Sequence, residues 1–147
     1  MRRLAGLIML WAAGAALASP GADAVAFWTS GYAGAELTEG NFHCAAPDLP
    51  AIGHPKPAAA GVRAAILKWE QCHSRYLAGL RATAPESRIP ADVLAAMTPA
   101  ERTRARDHVQ AVQARVAEAA QANAATMVAR HAAWLGATVD YVARRAD

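Results

Sequence analysis

Two cysteines and the histidines beside them are the residues of this chain whose types and spacing suggest chemistry. Cys44 is preceded by His43, and Cys72 is followed by His73. Two free thiols and two imidazoles would make a Cys2His2 set, but two adjacent Cys/His pairs do not match the usual spacing of zinc ligands. In an exported chain, two cysteines most simply form a disulfide. We therefore predict a Cys44–Cys72 disulfide.

A second candidate is a metal or haem site between helices. His73 and His131 both fall on apolar stripes of predicted helices, and Met127 lies one turn before His131. Helical bundles can hold such sites. A histidine on a buried stripe is more often a hydrogen-bonded core residue, because one converging pair does not complete a coordination shell. We predict no cofactor and no metal, and keep metal or haem binding through His73, His131 or Met127 as the alternative.

Motifs typical of catalysis are missing from the sequence. It contains no Gly-x-Ser-x-Gly, no His-Glu-x-x-His and no glycine-rich phosphate loop. We predict that the protein is not an enzyme. A small enzyme without a recognisable motif is the third and weakest hypothesis.

The charge pattern argues against nucleic-acid binding. The 147 residues carry a formal charge of only +3 at pH 7. The densest basic cluster, residues 102–106, has acidic residues on both sides. Basic side chains interspersed in this way form a solvated surface rather than a stripe that follows a phosphate backbone. We predict no nucleic-acid partner.

The N-terminus has the pattern of a secretory signal peptide. Arg2 and Arg3 precede an uncharged apolar run, residues 4–17, which is too short to span a bilayer. We predict that residues 1–24 are removed, which leaves no stable membrane span. The alanine- and arginine-rich composition suggests a bacterial source, so the expected location is the periplasm or the exterior.

Two small-x-small sites compete for cleavage of this signal, residues 16–18 and residues 22–24. Pro20 and Gly21 would break the helix of the apolar run shortly before the second site. We therefore predict cleavage after Ala24, with cleavage after Ala18 as the alternative.

Glycines and prolines alternate through residues 25–57, which we call the strap. No helical or strand period survives there for more than a few residues, so the strap is predicted to be turn and extended structure. Phe27, Trp28 and Tyr32 either form one helical turn or lie flat on another surface. We expect a mobile terminus whose aromatic side chains dock on the helices.

A helical domain is predicted over residues 58–147. From Ala58 to Ala82 apolar residues recur in steps of three and four, which indicates an amphipathic helix of roughly 25 residues, with Pro57 suited to its first turn. A short connecting helix is expected from Pro90 to Met97.

A capping box of Thr98 and Glu101 starts a second long helix, which should run for roughly 45 residues to about Arg144. Its core stripe has an eleven-residue period, about 3.67 residues per turn, which predicts a nearly straight helix. The stripe consists of Ala105, Val109, Val112, Val116, Ala120, Asn123, Met127, His131, Trp134, Thr138 and Val142.

These elements predict an all-α helical hairpin with an irregular strap. Because the connection is short, the two long helices should be antiparallel, with the first facing the forward half of the second. The rear half of the second helix would then need cover from the strap or from a second copy of the chain. The predicted interaction surface consists of Met127, His131, Trp134, Leu135, Val139 and Val142.

The segment from Met97 to Arg102 resembles the "Leu-Thr-x-x-Gln" segment of small periplasmic helical stress chaperones and metal-resistance proteins. That resemblance implies a cradle-shaped all-α dimer and a chaperone-like role. The Cys-x-x-Pro strap at 44–47 and the Trp-x-x-Cys helix at 69–72 also look like a small secreted helical family, which implies no chemistry. The predicted function is binding without catalysis, to a protein partner or a second copy.

Overall fold

The computed structural model describes residues 21–38, 44–52 and 57–146. The structure is 80% helical, and the residues that it describes include no β-strand, so the predicted all-α class is confirmed. His43 and His54 lie outside the described residues. So does the N-terminal run 1–20 that carries the predicted signal.

Helix α1 spans Ala22–Ala26 and continues directly into a π-helical turn, Phe27–Gly31. A 3-10 turn follows at Ala35–Leu37. The front of the strap, predicted to be irregular, is thus largely helical, and the helical alternative considered for its aromatic residues is the one observed. Rings of the three aromatic residues lie against one another, with Trp28 stacked on Tyr32 at 4.8 Å between centroids. This cluster holds the turn together.

Helix α2 spans Pro57–Ala82, and a 3-10 turn at Pro85–Arg88 leads to the short helix α3, Ala91–Ala96. Both helices fall within one residue of their predicted ends. Gly61 and Gly79 lie inside α2 with open space around them, so neither interrupts the hydrogen-bonded turns.

Helix α4 spans Pro99–Ala143, 45 residues, as predicted. The capping box is present: the Glu101 N–H donates to Thr98 Oγ1, and the Thr98 N–H donates to Glu101 Oε2 at 2.8 Å. These bonds satisfy amides that the first turn leaves without partners. The core residues of α4 recur along the predicted stripe, and they are Ala105, Val109, Val112, Ala120, Met127 and Trp134.

Helices α2 and α4 are antiparallel, but their pairing is shifted from the predicted one. Gln113 Nε2 donates to the Thr83 carbonyl at 3.1 Å, and His73 Nε2 lies 3.1 Å from the Ala120 carbonyl. The end of α2 therefore meets α4 at Gln113, ahead of the midpoint of α4, and α2 runs from there into the rear half. The expectation that α2 faces the forward half is wrong, because the connection does not turn tightly and instead folds back along α4.

The forward half of α4 is covered by that connection and by the front of the strap. Arg106 Nη1 approaches Glu86 Oε1 at 4.0 Å, and His108 Nε2 lies 3.0 Å from the Tyr32 carbonyl. Beside them Gly34 is buried, with φ of 75°, and an added Cβ there would lie 2.6 Å from Val112 Cγ1. Only glycine allows the strap to approach α4 this closely.

Beyond Gly34, the described residues of the strap contact both long helices at three further positions. The Tyr76 hydroxyl donates to the Leu37 carbonyl, Cys44 lies against Cys72, and Pro50 reaches Trp134. The strap therefore fills one of the two grooves between α2 and α4. The core consists of side chains from the strap, from α2, from the connection and from α4.

Candidate functional site

Cys44 and Cys72 lie at disulfide distance, as predicted. Their sulfur atoms are 2.02 Å apart and their Cα atoms 5.6 Å apart. Cys44 is buried and Cys72 half-buried, at the edge of α2 that faces the strap. Both sulfurs are engaged with each other, so this pair joins the strap to α2 and leaves no thiol for metal binding or redox chemistry.

His73 is a buried core residue with a backbone partner. Its Nε2 lies 3.1 Å from the Ala120 carbonyl oxygen. Its ring lies between those of Trp69 and Tyr76, at 5.4 and 6.2 Å between centroids. A buried imidazole that is hydrogen-bonded across a helix pair positions the two helices, and its contact with Ala120 points to packing rather than ligand binding.

The structure does not bring His73 and His131 together. His73 contacts α4 at Ala120, and His131 lies three turns further along, about 16 Å by the helix rise. His131 instead stacks on Trp134, with 6.4 Å between ring centroids. Met127 is buried in the core. Among the residues that the structure describes, no three His, Cys, Asp or Glu side chains cluster as a metal site would require.

The predicted interaction surface divides into a covered and an exposed part. Met127 and Trp134 are only 3% and 9% exposed, and Trp134 Nε1 donates to the Pro50 carbonyl at 2.7 Å. Pro50 of the strap therefore covers Trp134, and neither Met127 nor Trp134 is available to a partner. His131 is half-buried between the two parts.

The exposed part forms a row along one side of α4. Leu135 is 43% and Val139 66% exposed. Val128 and Val142, also exposed, lie seven residues before and after Leu135, so they project from nearly the same side. We call Val128, Leu135, Val139 and Val142 the rear row. The predicted interaction surface did not include Val128.

The side of α4 that carries the rear row has no charged residue. Between Gln121 and Ala143 the helix contains only two charged residues, Arg130 and Asp140. At 100° per residue, Arg130 lies about 160° round the helix from Val128, and Asp140 about 140° from Leu135. Alanines and Gly136 fill the positions beside the row. The result is a flat, uncharged face along the rear half of α4.

A shallow recess adjoins this face where α2 begins. It has a volume of about 470 Å³ and is lined by Ala59, Ala60, Arg63, His131 and Leu135. The recess lies in the groove between α2 and α4, next to the rear row through Leu135. Its walls are mostly apolar, so it continues the apolar surface across to α2, where Arg63 contributes a positive charge.

A second polar cluster lies at the front of the strap. The buried Tyr32 donates its hydroxyl hydrogen to Glu36 Oε1, and burial together with this bond raises the pKa of Tyr32 above its ordinary value. His108 is half-buried, and its Nε2 lies 3.0 Å from the Tyr32 carbonyl. The contact of His108 with the Tyr32 carbonyl holds the strap on α4.

Comparison with protein-family models, curated proteins and solved structures finds no match for this chain. Within residues 21–38, 44–52 and 57–146, no helix has both the length and the apolar character that crossing a bilayer requires.

Proposed function

We propose that this protein is exported and acts by binding another protein surface, without catalysis, through the rear row of α4. The observation that carries this proposal is the uncharged side of α4, on which four large aliphatic side chains are exposed, whereas Met127 and Trp134 are buried in the core. Contiguous exposed apolar patches on a soluble protein mark contact sites. The disulfide supports export, because such bonds persist in oxidising compartments.

The proposed partner for this face is a second copy of the chain. Val128 and Val142 are equally distant from Leu135. In an antiparallel pair of α4 helices crossing at Leu135, Val128 of each copy would face Val142 of the other. A two-fold contact places the same patch on both subunits, so any charge near the axis would meet its own image. The uncharged side of α4 meets that requirement.

A dimer of this kind would agree with the resemblance of Met97–Arg102 to dimeric periplasmic stress chaperones. The recess beside Leu135 would then lie at the edge of the dimer contact. Metal or haem binding gains no support, because His73 is bonded to the Ala120 carbonyl and does not meet His131.

The test is the oligomeric state of the purified protein and of charge variants at Leu135. Light scattering and sedimentation should show a concentration-dependent dimer. Leu135→Asp should weaken it at least about 100-fold, since two carboxylates meet at the axis and like charges cost several kcal/mol. Ala133→Asp is the matched control, because Ala133 is exposed on the same helix and lies about 160° round it from Leu135.

Mixing Leu135→Asp with Leu135→Lys should restore association as a mixed dimer. A strict monomer at about 100 μM, where a contact of micromolar affinity would be nearly saturated, would overturn the second copy as the occupant. Equal effects of the changes at Ala133 and Leu135 would show that the face has no special role.

A further inference from the structure

The first helix, α1, is part of the packed fold. Ala24 and Val25 are half-buried against the hydrophobic core, and α1 contacts α3. The Ala24 N–H donates to the Gly21 carbonyl at 3.0 Å. The carbonyls of Asp23 and Ala24 in turn accept the Phe27 N–H. Residues on both sides of the Ala24–Val25 bond thus belong to one helical segment.

Cleavage after Ala24 would remove the start of that segment. The carbonyls that accept the Phe27 N–H would be lost together with Asp23, the acidic residue of the first turn. The new terminus at Val25 would carry an ammonium group. A positive charge at a helix N-terminus opposes the helix dipole, whereas an acidic side chain there favours it. The cut would therefore unpair amides and reverse the favourable charge at a packed helix end.

We propose that the chain is processed before α1, by hydrolysis of the Ala18–Ser19 peptide bond. This inference rests on the proposed export. Ala16 and Ala18 provide the other small-x-small site, directly after the apolar run. One water is consumed, leaving a carboxylate on Ala18 and an ammonium group on Ser19. The enzyme is of the signal-peptidase class, which selects small residues at the last and third-last positions of the leader.

The mature protein then retains Gly21 to Ala24 as the beginning of α1. The new ammonium group lies ahead of the helix rather than on its first turn. Asp23 keeps its place in that turn, where a negative charge stabilises the helix.

The test is the mass of the intact mature protein, recovered from the periplasm of a bacterial host that expresses the full chain. A mature terminus at Ser19 supports the proposal. A terminus at Val25 overturns it while export stands. An unprocessed chain that begins at Met1 and stays in the cytoplasm overturns both this inference and the proposed export.

Two matched substitutions sharpen the test. Ala16→Phe places a bulky residue at the third-last position of the proposed site, and the mature form should fall at least about 10-fold. Ala22→Phe does the same for the competing site, and Ala22 is exposed in α1, so the fold tolerates the change. The mature Ala22→Phe protein should still begin at Ser19 and carry the phenylalanine. Loss of processing with Ala22→Phe alone would overturn the proposal.

Discussion

Trp134 donates its indole hydrogen to the carbonyl oxygen of Pro50 at 2.7 Å, and this bond links residues 84 positions apart in the chain. It fixes the end of the strap to the rear half of α4. Trp134 is the last buried residue of the core stripe, so the bond lies at the far end of the buried part of that stripe.

Trp134→Phe should lower the free energy of unfolding by about 1–3 kcal/mol, because it leaves the Pro50 carbonyl without its donor and removes buried apolar surface. Urea unfolding measures the loss. Leu67→Ala is the control, since that side chain is 49% exposed and surface changes usually stay within about 0.5 kcal/mol. Equal losses in the two variants would contradict a specific role of the strap contact.

Gly34→Ala should destabilise the protein by about 2 kcal/mol or more, because φ is 75° and the new Cβ would lie 2.6 Å from Val112 Cγ1. Gly79→Ala should stabilise it by about 0.5–1 kcal/mol, since Gly79 lies inside a helix with open space around it. Thermal unfolding of both variants gives the comparison. Changes of the same sign would contradict the close approach of the strap to α4.

Removing the disulfide with Cys44→Ala and Cys72→Ala should cost roughly 3.5 kcal/mol, the loop-entropy value for the 28-residue separation. Urea unfolding of the double variant gives the number. Wild-type protein that is fully reduced by dithiothreitol should have the same stability as the double variant. Two titratable thiols in wild-type protein that is purified and denatured without a reductant would contradict the prediction.

Glu101 should make α4 sensitive to acid. The bonds from the Thr98 N–H and the Thr98 hydroxyl hold the pKa of Glu101 below its ordinary value of 4.5. Its contribution is therefore full above pH 4.5 and is lost as the pH falls through the lower folded value. The stability difference between wild type and Glu101→Gln should narrow over that range, as urea unfolding at several pH values would show. A constant difference would contradict the capping role.

The parts of the fold that sequence predicted depend on local signals. Proline at the start of α2 and the capping box of Thr98 and Glu101 set helix ends through neighbours in the chain. The shifted pairing of α2 and α4 was not predictable in this way, because it depends on how the connection packs on residues such as Arg106. The position of Gly34 against Val112 likewise depends on tertiary structure.

The candidate surface was predicted in part for the same reason. The apolar residues of the rear half of α4 recur at helical spacing, but nothing local shows which of them the fold will cover. Met127 and Trp134 are covered, whereas Leu135, Val139 and Val142 are not. Val128 is assigned to the rear row because it is exposed and lies on the same side of α4 as Leu135.

The contacts of the strap also determine the order of events during folding. The strap is synthesised first, yet its partners Trp134 and His108 come 84 and 76 residues later. Contacts between such distant segments form slowly, because the chain must first close a long loop. The strap can contact α2 earlier, through Tyr76 and Cys72, but Pro50 cannot be bound until Trp134 is present, and until then the surface of α4 that Pro50 will cover is open to other chains.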